Sequence, residues 1–206
     1  VSGIRWRRAW SGGLALAAGL AMIPVALAAN DPLDRIGATE AIQARFDAAT
    51  RQTQVSGKAA PDLCFSFALP EEWRLTEIGL KAVTSDADLS IGLRSAEELR
   101  DMPQPDLAIR DAAALQRDYE ELLGRPAQSV SLTSEPRATR WSATWIDASL
   151  PTASQAMTVE TLIVPLSSEW VLELSLSGVK SREAYEALAW RLMARLKVQG
   201  RADCRG

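Results

Sequence analysis

Leu63, Phe65, Phe67 and Leu69 alternate with Cys64, Ser66 and Ala68, and Pro70 stops the run. An apolar side chain at every second residue is strand period, because successive side chains of an extended backbone point to opposite faces. The pattern returns at Leu89, Ile91 and Leu93, and in longer runs at Ala138 to Ala148, Met157 to Leu166 and Trp170 to Val179. A span from Arg74 to Thr84 and a short one at Val130 and Leu132 complete the set. A chain with so many period-two segments must bury a sheet. Short turns between them, such as Asp86-Ala87-Asp88, make sequence neighbours pair antiparallel.

Three segments read as helices. Asp106 caps the clearest, in which Ala108, Ala112, Leu115, Tyr119 and Leu122 fall at helical spacing. Gly124 and Pro126 then end it in the expected order. Ser181 begins the last, with Tyr185, Leu188, Leu192 and Leu196 as its apolar stripe. Asn30-Asp31-Pro32 reads as a third helix start, running to about Thr50, and the small polar residues from Gln52 to Asp62 read as a linker. A helix with one apolar stripe must cover a sheet face. The expected fold is therefore α+β: a single antiparallel sheet of about six or seven strands with helices on both faces, an α/β/α sandwich. The divisions are 1–28, a leader; 29–62, an N-terminal helix and linker; and 63–206, the sandwich domain with its last helix and tail.

The leader rests on Arg5, Arg7 and Arg8, an apolar run from Gly13 to Val25, and the small-x-small site Ala26-Leu27-Ala28. A charged start, a short apolar centre and such an end make a secretory signal peptide, so the expected location is periplasmic or secreted. The run is too short for a membrane span, which needs about 20 residues, and no cysteine follows it for a lipid anchor. Cleavage after Ala28 leaves 178 of the 206 residues and removes three arginines and no acid, which takes the formal charge from −3 to −6. An acidic chain lacks the basic surface that sequence-independent nucleic-acid binding requires. The sequence holds no histidine, which excludes Ser-His-Asp and Cys-His nucleophile systems, His-ligated zinc and a histidine pH switch within it. No cofactor or metal motif is present. Cys64 and Cys204 are the two cysteines, and in an oxidising compartment they most simply form one disulfide; two free thiols are the alternative.

The order of elements and three signatures resemble the PsbP-like α/β/α sandwich family. They are Phe65-Ser66-Phe67-Ala68-Leu69-Pro70-Glu71-Glu72-Trp73, Arg140-Trp141-Ser142-Ala143-Thr144-Trp145-Ile146-Asp147, and the Trp170 to Leu176 strand with its closing helix. The resemblance spans about Leu63 to Val198 and implies a non-enzymatic binding or assembly role, with no functional residue carried over.

Three candidate sites follow from the residues themselves. Trp190 projects away from the stripe of the last helix, into a sector with Glu183, Glu186 and Lys197. It reads as a contact for a protein partner in the cell envelope, with Glu186 beside it, because tryptophan is enriched in interface hot spots. The alternative is a position covered by the first helix or the tail. Trp141 and Trp145, four apart on one strand, share a face and are either the wall of a small-molecule cavity or core. Glu160 and Glu173, with Arg140, share a face under one register, which leaves a carboxylate-dependent hydrolase or a plain ion-pair row.

Overall fold

The computed structural model describes residues 42–147, 149 and 155–200. The segment read as a leader, with its expected cleavage site, and Cys204 lie outside them. The described chain forms eleven strands and two helices. The strands are β1 (Ile42–Asp47), β2 (Gln52–Ala60), β3 (Leu63–Pro70), β4 (Trp73–Thr76), β5 (Gly79–Ala82), β6 (Asp88–Ser95), β7 (Ser129–Ser134), β8 (Thr139–Ile146), β9 (Ala156–Pro165), β10 (Trp170–Ser177) and β11 (Lys197–Gly200). The helices are α1 (Leu107–Leu123) and α2 (Arg182–Arg195).

These strands make two antiparallel sheets, not one. A four-stranded sheet runs β1-β2-β3-β11 and a seven-stranded sheet runs β4-β5-β6-β10-β9-β8-β7. The molecule is mostly β, so the expected α/β/α sandwich is wrong. Two misreadings account for it. Residues 42–47 form a strand where a helix was expected, and the apparent linker is β2, paired with both β1 and β3. The span from Arg74 to Thr84 is a hairpin, β4 and β5, not one strand.

The alternation along β10 shows how the layers form. Val171 points into one cluster with Trp141, Ala143, Trp145 and Ile163, covered by Ala108, Ala112 and Leu115 of α1. Leu172, Leu174 and Leu176 point into the other, with Leu162 and Val164 of β9, Val55, Phe65, Phe67 and Leu69 of the four-stranded sheet, and Tyr185, Ala189 and Leu192 of α2. One face of the large sheet therefore meets a helix. The other meets a second sheet, with α2 packed against β3.

Caps fix both helices. The Asp106 carboxylate accepts from the Ala108 and Ile109 N–H groups, and Gly124 ends α1 in the left-handed conformation at φ 64°. The Ser181 hydroxyl accepts from Ala184 N–H at 3.2 Å. At the other end of α2, Arg137 donates to the Met193 and Leu196 carbonyls at 3.2 and 2.8 Å, a cation placed where the helix dipole is negative. Within α1, Leu122 is exposed and its neighbour Leu123 packs on the core instead.

The chain crosses from the small sheet to the large one at Pro70-Glu71-Glu72-Trp73. Glu71 takes φ 62° there, and the Thr53 hydroxyl locks the corner by donating to Glu71 O at 2.8 Å while accepting from Trp73 N–H at 2.9 Å. The Trp73 indole donates to Pro70 O at 2.8 Å. The proline-to-tryptophan signature is thus a locked corner joining two sheets.

Candidate functional site

The outward face of α2 gathers most of the unusual chemistry. At 3.6 residues per turn, Ala187 and Arg191 flank Trp190 on one side and Glu186 on the other. Trp190 stands on the crest, 72% exposed, opposite the buried Tyr185, Ala189 and Leu192. Exposure on this scale for the largest side chain is what the helical spacing predicts.

On the Glu186 side lies an ion network that joins α2 to the open half of the large sheet. Arg140 of β8 pairs with Glu135 at 2.8 Å, Glu160 of β9 at 2.8 Å and Glu186 at 2.9 Å. Arg182 pairs with Glu160 at 2.7 Å and also with Glu186. The Tyr185 ring lies near both guanidiniums, 5.9 Å from Arg140 Cζ and 5.1 Å from Arg182 Cζ, within cation–π range. Burial works against the Arg140 charge, but the hydrogen bond to Glu186 and the charge of Glu135 outweigh it and hold its pKa up. The hydrogen bond from Arg140 in turn holds the Glu186 carboxyl below its ordinary value, against a smaller effect of burial. Burial, reinforced by the Glu160 charge, pushes the Tyr185 phenol up, so it stays protonated.

On the other side of the crest is a half-open groove of about 350 Å³. Its apolar walls come from Pro70 and Trp73 of the locked corner, Ala87, Val179, and Ala187 and Leu188 of α2. Its polar members are Glu71, Ser85, Lys180 and Arg191. The Ser85 hydroxyl donates to the Glu71 carboxylate at 3.2 Å. Gly178 shapes the floor: at φ 67°, a Cβ there would come within 1.9 Å of the Asp86 carbonyl oxygen. Sequence reasoning missed this groove, because three loops distant in the chain converge on it. The residues Gly178-Val179-Lys180 ahead of the Ser181 cap are the one local cue.

The remaining candidates separate. Trp141 and Trp145 do share a face, yet both are 0% exposed; Trp141 stacks on Tyr119 of α1 and Trp145 meets the same ring at a tilt, at 5.8 and 5.6 Å between centroids. They are core under α1 and line no part of the groove. Glu160 and Glu173 fall on opposite faces of the large sheet. Glu173 stands opposite Ile163 in register, and so on the α1 face, while Glu160 is three residues earlier on β9 and points the other way. Of these two carboxylates Arg140 pairs with Glu160. The two carboxylates have no common cleft.

Glu173 belongs instead to a second charge cluster that the sequence did not announce. Arg94 of β6, 5% exposed, pairs with Asp111 of α1 at 3.1 Å, Asp118 of α1 at 3.4 Å and Glu173 of β10 at 3.0 Å. Burial opposes the Arg94 charge, and the three carboxylates more than reverse that, so its pKa is raised. The cluster ties α1 to the centre of the sheet. Among the described residues no group of histidine, cysteine or carboxylate side chains has the arrangement to hold a metal ion, and no helix is long and apolar enough to cross a membrane. No family model, no curated protein and no solved structure matches this chain.

Proposed function

We propose that this is an exported, non-enzymatic binding protein that docks a protein partner of the cell envelope on the outward face of α2, with Trp190 as the anchor. The leader-like start of the sequence supports export. One observation carries the docking site: the tryptophan is 72% exposed on a helix otherwise well fixed by caps and core. A rigid, exposed aromatic anchor loses little entropy on binding and brings a large apolar area, as interface hot spots do. Glu186 adds a rim charge beside it that is already oriented by Arg140 and Arg182.

The test is a photo-crosslinking residue placed next to Trp190 in the native host. It should give a discrete adduct in the envelope fraction. Trp190→Ala should abolish the adduct while moving the melting temperature by less than about 2 °C, the range of an exposed surface change. A fall of several degrees would make Trp190 an ordinary packing residue, and protein found only in the cytosol would end the export reading.

A further inference from the structure

We propose that the groove beside α2 binds a small amphiphilic carboxylate, a linear apolar chain ending in an anion, such as a medium-chain fatty acid. Its volume of about 350 Å³ is at the low end of the range of small-ligand pockets. Its walls at Trp73, Ala87, Val179 and Leu188 suit an apolar chain. Lys180, just before the Ser181 cap, supplies the anion-binding end, and Arg191 stands about two and a half turns further along α2. Both line the groove, and neither enters an ion pair with a described residue, whereas the neighbouring Arg140 and Arg182 are each held by two or more carboxylates. Among the described residues that line the groove the one acid is Glu71, which takes a hydrogen bond from Ser85. Among the described lining residues two cations therefore stand against one carboxylate. The walls are pre-set: the corner at Glu71 is locked by Thr53, and the floor is fixed by Gly178 against Asp86. A site that needs no rearrangement loses little on binding.

The ligand is read as a free small molecule. The experiment titrates decanoate, below its micellar concentration, into the full chain by calorimetry, alongside decanol and a blocked hydrophobic tripeptide with a free C-terminal carboxylate. Saturable binding of decanoate is expected, with decanol weaker by about tenfold or more, the size of one charge-assisted hydrogen bond. The K180Q/R191Q double variant should lose a similar factor with its melting curve unchanged, and Ala187→Phe, which fills the groove, should abolish binding. Equal affinity for decanol, undiminished binding by the double variant, tighter binding of the tripeptide, or no saturable binding would each overturn the proposal. Trp190 does not line the groove, so Trp190→Ala should bind decanoate as the wild type does. Loss of binding in that variant would move the ligand onto the crest of the helix and refute the site. The result is therefore independent of whether a protein partner docks at Trp190.

Discussion

Arg94 sits where a cation has no water to fall back on, and it pairs with three carboxylates there. Removing one member of a buried charge cluster leaves the others uncompensated, which costs about 3–5 kcal/mol. Arg94→Met should therefore lower the melting temperature by roughly 10 °C for a chain of this size, measured by calorimetry. Glu186 is the half-buried counterpart, and its effect should be small and pH-dependent. Its carboxyl is held below the ordinary 4.5 by Arg140, so the bond contributes fully above that value. The contribution disappears as pH falls through the lowered folded-state pKa. Glu186→Gln should melt about 2 °C below wild type at neutral pH, and the two should converge in stronger acid. At this scale the exposed Trp190 and the shared face of Trp141 and Trp145 were legible, because each follows from the geometry of a single element. The parity of Glu160 against Glu173 was not, because it depends on the pairing register of two strands, which no residue in either announces.

Between elements, the tight point is Gly178, where β10 hands over to α2. A side chain there would meet the Asp86 carbonyl, and left-handed backbone adds about 1–2 kcal/mol for any L-residue. Gly178→Ala should lower the melting temperature by at least about 5 °C. The same kind of close approach hid β2 from sequence reasoning. Its inward residues are Thr53, Val55, Gly57 and Ala59, strictly alternating but mostly small, so they lack the bulk that marks a strand. Small residues are what the site requires, since the Phe65 ring of β3 occupies the space a Cβ at Gly57 would fill, 2.5 Å from Cζ. The longer strands β6 and β8 to β10 were legible because they carry large residues at period two. The helices α1 and α2 were legible from their caps, whereas β11 has four residues and a single apolar side chain, too few to show a period.

For the molecule as a whole, the pairing of β11 with β3 sets Gln199 opposite Cys64. Cys204 follows five residues later in the chain, and β11 ends at Gly200, a gap of four residues that extended chain can span with about 14 Å. A bridge between the two cysteines would fasten the end of the sequence to the start of β3. Thiol titration of the denatured, unreduced protein should find no free sulfur, and reduction should lower the melting temperature; two free thiols would refute the bridge.

The four-stranded sheet has a further consequence that concerns time rather than space. Its third strand ends at residue 70 and its fourth begins at residue 197, so β3 keeps one hydrogen-bonding edge open until nearly all of the described chain has been made. Contacts of such long sequence separation slow folding, because the loop must close before it is rewarded. A ribosome-bound chain whose residues 197–200 are still in the exit tunnel cannot complete its earliest sheet, however much of the rest has already emerged.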